Sequence, residues 1–272
     1  MLLLLSLGLW FFLSPRDDGS LAEIGRRGTL RVGLDASFPP FETIDASGQI
    51  VGLDVDIAQA IAADLGVEAE FVNIAFDGLY DALLARRVDL IISGLPYDPR
   101  WTEDVAYTRN YFNAGQVLVT RAGDPTIQSV EDLAGRTVAV EWGSQAEMEA
   151  RRLAQKLALN TSPSPPTPLP QGEGSILTLL RQDSAAAALE AVRNSQADAA
   201  IVDAPSALTP SPTLPLQGGG GQGLKIVTYL TDEWYAAAVH LQSRELLATV
   251  NQTLARLEAN GEMAKLEARW FK

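Results

Sequence analysis

The residues of this 272-residue chain best placed to do chemistry are acids and small polar groups that close apolar runs. Asp35 ends the run Leu30 to Leu34, and Asp203 ends the run Ala199 to Val202. A carboxylate at the carboxyl end of a buried strand lies where open α/β sheets bind ligands, and it can accept from a cation. Each also has a plainer use. Asp203 can cap the turn that opens at Pro205, and Asp35 can form a turn of its own. Ser93-Gly94 closes a third apolar run, Val88 to Ile92, with Pro96 just beyond it. Ser144 and Gln145 follow Gly143 at the start of a helical pattern. The first N–H groups of such a helix and its dipole attract an anion, although Ser144 also caps it. Phe38-Pro39-Pro40-Phe41 fixes two φ angles and removes two donors, which makes a stiff loop carrying two rings.

Composition narrows the chemistry further. The chain has no cysteine, so disulfides, thiolate metal sites and cysteine nucleophiles are excluded. Its single histidine, His240, ends the apolar run AAAVH and reads as a strand-end residue, which argues against a histidine-based triad. No ligand cluster for a metal is visible, and no cofactor is expected. A net charge of −13 argues against nucleic acid or an anionic membrane surface as partner.

Periodicity supplies the elements that would hold these groups. Leu53, Ile57, Ile61 and Leu65 recur every fourth residue, which makes one face of a helix. It follows a strand, the proline loop and a short hairpin. Val67 to Ile74 reads as a strand, and Phe76-Asp77-Gly78 opens a helix that buries Leu79, Leu83 and Leu84. Asp98 to Asp104 reads as a short helix and Tyr111 to Arg121 as one long strand. Ser129-Val130-Glu131-Asp132 and Ser144-Gln145-Ala146-Glu147 both have the form of a capping box. Thr137 to Glu141, Ala197 to Val202, Leu224 to Leu230 and Tyr235 to His240 read as strands. Helices are expected from Ser144 to about Leu157, over Ser184 to Gln196, and at the carboxyl end. Strands alternating with helices imply parallel pairing and an α/β class.

Three stretches stand apart. Residues 1–13 are an apolar segment, too short to span a bilayer comfortably. With its flank to residue 23 it reads as a secretory signal core, or as a membrane tether. SPSPPTPLPQGEG (162–174) and TPSPTLPLQGGGGQG (209–223) are similar, rich in Pro, Gly and Ser, and read as low-complexity insertions.

DASFPPFE followed by GLDVDIAQAIA resembles the opening of the family 3 extracellular solute-binding proteins, the polar amino-acid receptors of ABC importers. VDLIISGL, DVAYTRNYFNAGQVLV, EDLAGRTVAVEWGS, ADAAIVDAP and ANGEMAKLEARWF continue the resemblance over most of the chain from Leu30. It implies a two-lobed α/β protein of the periplasmic binding type. Lobe 1 would comprise 24–114 and 232–272, lobe 2 residues 115–231, and the ligand cleft would lie between them. It implies a monomer outside the cytoplasm that closes on a small polar solute, an amino acid, and is recognised by a membrane permease.

Residue by residue, the resemblance makes Asp203 the acceptor for the ligand ammonium and Phe38 and Phe76 the aromatic pair against the carbon skeleton. Trp142 is a further aromatic on the second lobe. Gly94 and Pro96 would add backbone contacts. The family places a carboxylate-binding arginine seven residues beyond the glycine, where this chain has Trp101. Arg100, one residue earlier, either points elsewhere or becomes the ligand contact through a register shift of the loop with Pro96 and Pro99. Where the family often has a basic residue reaching the ligand, this chain has Glu141. These departures point to a less anionic ligand, including a cation stacked on Trp101. The alternatives are a lyase of the cyclohexadienyl dehydratase kind, with Glu141 or Asp203 as general acid, and a tethered sensing module.

Overall fold

In a computed structural model of the chain, residues 18–161, 177–209 and 223–271 are described. The apolar leader, the 162–174 insertion and all of the 209–223 insertion except Thr209 and Gly223 lie outside them. The first helix, α1, spans Ser20–Arg27, followed by β1 (Thr29–Leu34), β2 (Ser37–Phe38), β3 (Glu42–Ile44), β4 (Ile50–Val51) and α2 (Leu53–Leu65). Next come β5 (Glu68–Asn73), a 3-10 turn at Phe76–Gly78, α3 (Leu79–Leu84), β6 (Leu90–Ile91), a 3-10 turn at Pro99–Trp101 and β7 (Val105–Asn113). The chain continues through β8 (Gln116–Arg121), a 3-10 turn at Val130–Leu133, β9 (Arg136–Glu141), α4 (Gln145–Thr161), β10 (Leu177–Gln182) and α5 (Ala185–Arg193). It ends with β11 (Ala199–Asp203), α6 (Ala204–Leu208), β12 (Leu224–Tyr229), β13 (Trp234–His240), α7 (Arg244–Ala259) and α8 (Glu262–Trp270).

Two compact units share these elements. The first takes residues 18–110 and Ala236–Glu267, and the second takes Tyr111–Tyr235 and 268–271. In the first unit β5-β1-β6-β13-β7 form one sheet, and β2-β3-β4 form a small antiparallel one. β1 pairs parallel with β5 and β6, whereas β13 pairs antiparallel with β6. The predicted helix face is realised on α2, where Leu53, Ile57 and Ile61 are fully buried. Each such side chain contributes about 2 kcal/mol by leaving water.

The second unit's sheet runs β10-β9-β11-β8-β12. Its two faces follow the period of two. Val117, Val119, Ala200 and Val202 pack with α5 residues Ala188, Leu189 and Val192. Leu118, Ala199 and Ile201 pack instead with α4 residues Ala150, Leu153 and Leu157. β9 pairs parallel with β10 and β11, while β8 is antiparallel to both β11 and β12. The expected parallel pairing holds where helices make the crossovers, and the remaining pairs are antiparallel.

Three expectations change and one strand was not expected. The long strand over Tyr111 to Arg121 is broken at Ala114-Gly115 into β7 and β8. Asn113 Oδ1 accepts from the N–H groups of Gly115 and Glu233, at 3.0 and 3.1 Å, which turns the chain. A Cβ on Gly115 would meet the Thr231 carbonyl oxygen at 1.9 Å, so only glycine fits there. The helix expected over Asp98 to Asp104 shrinks to the turn Pro99–Trp101, capped by Asp98 accepting from the Arg100 N–H. β10, an edge strand directly after the insertion, has no sequence expectation to match it. Finally, the capping box holds at Ser129 and Asp132 but not at Ser144 and Glu147. There Ser144 Oγ accepts from the Glu147 N–H, but Glu147 Oε2 accepts from Gly143 because the Ser144 N–H turns to the Glu141 carbonyl.

Candidate functional site

A cavity of about 250 Å³ opens in the second unit over the carboxyl ends of β9 and β11. It is lined by Gln116, Glu141, Ser144, Gln145, Asp203 and Glu233, with Ala146, Ala185 and Val202 as its apolar wall. Register explains the grouping. Asp203 is paired with Gln116 across β11 and β8, so both face the starting turn of α4. Glu141 is the last residue of β9, and Gly143, in the left-handed conformation, turns the chain into α4. The sequence expectations Glu141, Ser144, Gln145 and Asp203 are thus brought together in one unit.

Much of their bonding capacity is already used. Asp203 caps α6, with Oδ1 accepting from the Ser206 N–H at 2.8 Å and Oδ2 from the Ser206 hydroxyl at 2.9 Å. Each carboxylate oxygen has two lone pairs, so capping leaves acceptor capacity toward the cavity. Ser144 Oγ donates to the Glu141 carbonyl at 2.7 Å and caps α4, which fixes the helix start. Glu147 is pulled down to about 2, first by Arg181, then by the Gly143 N–H and Arg151.

Two lining residues had no place in the sequence reading. Gln116 is nearly fully buried, and its Oε1 meets no protein donor among the described residues. Glu233 has its carboxyl raised above the ordinary range, by burial first and then by the negative charge of Asp203. The available signal was an acid directly before an apolar strand, at Glu233-Trp234-Tyr235, and a lone amide opening the run QVLVTR. Among the described residues the cavity is lined by Glu141, Asp203 and Glu233 but by no lysine or arginine. These acids do not converge as metal ligands: among the described residues, no group of three or more His, Asp or Glu is placed to hold a metal ion.

The remaining candidates lie in the first unit. Asp35 is a bonded hub, with its N–H donating to Ser93 Oγ at 2.9 Å. Its carboxylate accepts from the Ser37 hydroxyl at 2.7 Å and from the Phe76 N–H at 2.9 Å. This ties the loop of Phe38 to that of Phe76, and both rings are 41% exposed. Phe38 stacks on Phe41 at 5.3 Å, so the stiff loop is also a short strand edge. The Gly94 N–H donates to Asp54 at 2.6 Å, and Pro96 is half-buried beside it. Arg100 is exposed and forks onto Asp98, with Nη2 at 2.6 Å from Oδ2. Trp101 stacks on Tyr80 at 4.2 Å and packs against the core, so one of its faces is spent on the fold. Trp142 in the second unit is 73% exposed. His240 ends β13, with Nδ1 accepting from the Gln242 N–H at 3.2 Å.

Comparison with known proteins places this arrangement. The family model for bacterial extracellular solute-binding proteins, family 3, matches residues 30–272. The arginine-binding extracellular protein ArtP of Bacillus subtilis is 28% identical, covering 100% of this chain and 97% of that protein. The L-cystine-binding protein TcyJ of Escherichia coli is 27% identical over 94% of this chain and 87% of its own. Among solved structures, an ancestral cationic amino acid solute binding protein matches with a TM-score of 0.65 and 31% identity. The match covers 93% of this chain and all of the other. These named relatives are binding proteins, not enzymes, and among the described residues no helix is long and apolar enough to cross a membrane. The chain belongs to the bacterial extracellular solute-binding proteins, family 3.

Proposed function

We propose that this protein is the substrate-binding component of an ABC importer and that its substrate is an amino acid with a second positive charge. One observation carries the reading: Glu141, Asp203 and Glu233 line a single cavity of about 250 Å³ to which the described residues contribute no lysine or arginine. Like charges at such range raise one another's proton affinity unless a cation enters. The Glu233 carboxyl is raised by burial first, and the charge of Asp203 adds to it. The buried Gln116 Oε1 asks for a donor in the same place.

In this reading Asp203 takes the α-ammonium, with Gln116 adding an acceptor. Glu141 and Glu233 face the cationic side chain. Ser144 and Gln145 at the start of α4 receive the α-carboxylate, with the Gln145 N–H and the helix dipole as the attraction. On the first unit, Asp35, Phe38, Phe76 and the backbone at Gly94 and Pro96 are ligand contacts, each open to its own substitution. The names of the arginine-binding and cationic-amino-acid-binding relatives support the same class. A membrane permease is then the partner, and the chain works outside the cytoplasm as a monomer, exported or tethered through 1–13.

A thermal-shift screen tests the proposal. L-Arginine, L-lysine and L-ornithine should raise Tm in a concentration-dependent way, whereas L-glutamate and L-leucine should not. Stabilisation by L-glutamate and not by L-arginine would overturn the substrate class.

A further inference from the structure

The first unit contains a buried acid pair that has no part in the proposed cation pocket. Glu42 on β3 and Asp54 in the first turn of α2 are both 0% exposed. Backbone contacts force them together. The Leu53 N–H donates to the Pro40 carbonyl at 3.1 Å, and the Asp54 N–H donates to the Phe41 carbonyl at 3.0 Å. Gly52 permits the approach, since a Cβ there would sit 1.9 Å from the Phe41 oxygen. The helix start is therefore laid directly on the strand that carries Glu42.

Both acids then reach the turn after β6. The Ser93 hydroxyl donates to Glu42 Oε1 at 2.7 Å while accepting from the Asp35 N–H at 2.9 Å. The Gly94 N–H donates to Asp54 Oδ2 at 2.6 Å. Among the described residues no N–H or O–H reaches the buried Glu42 Oε2, yet the Glu42 and Asp54 carboxyls lie within hydrogen-bonding range of each other. Two carboxylates cannot bond to each other, since each only accepts. A proton on Glu42 Oε2 makes that contact a bond. Asp54 then keeps its charge, and a charged acceptor suits the short Gly94 contact.

We infer that Glu42 and Asp54 hold one proton between them, carried by Glu42, and that this pair is the positioning device for the Ser93–Gly94 turn. The charged groups acting most strongly on Glu42 are Asp54 from α2 and Asp35 from the end of β1, both acids, while Ser93 supplies a hydroxyl from the end of β6. Burial and the neighbouring Asp54 charge both push the Glu42 carboxyl far above its ordinary value. The consequence for binding rests on the reading of Gly94 as a ligand contact.

The test needs no ligand. An acid raised on folding keeps a proton that the unfolded chain releases above the ordinary glutamate value of 4.5. Its contribution is full below that value and falls as pH rises toward the folded value. Denaturant unfolding of wild type and Glu42→Gln should be compared between about pH 5.5 and 8. The ratio of their folding constants should fall about tenfold per pH unit, the signature of one extra bound proton. E42Q should fold, because its amide supplies the N–H that replaces the proton and keeps the acceptor for Ser93. Asp54→Asn should fold for the same reason and show the same loss of slope.

Parallel pH curves for wild type and E42Q, or failure of both amide variants to fold, would overturn the shared proton. L-Arginine affinity at neutral pH provides the positioning readout. E42Q should stay within about threefold of wild type, and Glu42→Ala, which loses the bond to Ser93, should weaken binding about tenfold, near one uncharged hydrogen bond. Equal weakening by E42Q and E42A would overturn the positioning role. Absence of arginine binding by wild type would overturn the proposed substrate alone, because the pH curves decide the proton by themselves.

Discussion

Asp203 has two uses that do not exclude each other. It caps α6 through Ser206 and borders the cavity, because a carboxylate has more lone pairs than one cap consumes. Asp203→Asn keeps the cap geometry and removes the charge. It should weaken L-arginine binding by about 2 kcal/mol, roughly thirtyfold, in calorimetry, with little change in Tm. Glu233 adds a pH dependence. Its carboxyl titrates above the ordinary value of 4.5, and a cationic ligand favours the ionised form. Affinity should therefore fall as pH drops through that raised range, and Glu233→Gln should remove this part of the profile. Arg100 is a contrasting case: exposed and forked onto Asp98, it should tolerate substitution by alanine with less than about a twofold change in affinity. Asp203, Glu141, Ser144 and Gln145 were legible in the sequence because each closes a strand or opens a helix. Glu233 was not. It precedes its strand, and the bonds of Asn113 and Ala114 to the Glu233 main chain bring that segment back to the second unit's sheet.

At the level of elements, the start of α4 is held by more than its cap. Glu147 gathers Arg181 from β10 at 2.6 Å, Arg151 from the next turn at 2.7 Å, and the Gly143 N–H at 2.9 Å. A carboxyl pulled down to about 2 from 4.5 stabilises the fold fully above 4.5, and that contribution disappears as pH falls toward 2. Glu147→Gln should accordingly flatten the acid limb of the pH–stability curve. Periodicity made the helices and buried strands readable, as the alternation of Val117, Leu118 and Val119 between the two faces of the sheet shows. It could not show the break at Gly115, which comes from a distant carbonyl, Thr231, occupying the space a side chain would need. Nor did it reveal β10, an edge strand in which the exposed Thr178 and Arg181 interrupt the apolar run.

On the scale of the whole molecule, the chain resolves into two compact units, each with its own sheet and core. The family motifs quoted from the sequence fall in both, which is why the fold class was legible before any coordinates. The ligand class was less so, because the family's arginine position holds Trp101, whose ring is stacked on Tyr80. Replacing 210–222 by a glycine-serine segment of equal length should leave Tm unchanged, since its composition offers no core-forming side chains beyond two leucines. A fall in Tm of several degrees would show that those prolines carry part of the second unit.

The central claim is that a cavity walled by acids selects a positively charged guest. The most direct measurement is titration calorimetry of L-arginine against L-citrulline, its uncharged near-isostere. The account predicts that arginine binds about 100-fold more tightly, the scale of one desolvated charge pair. Equal affinity for the two, or tighter binding of citrulline, would contradict it.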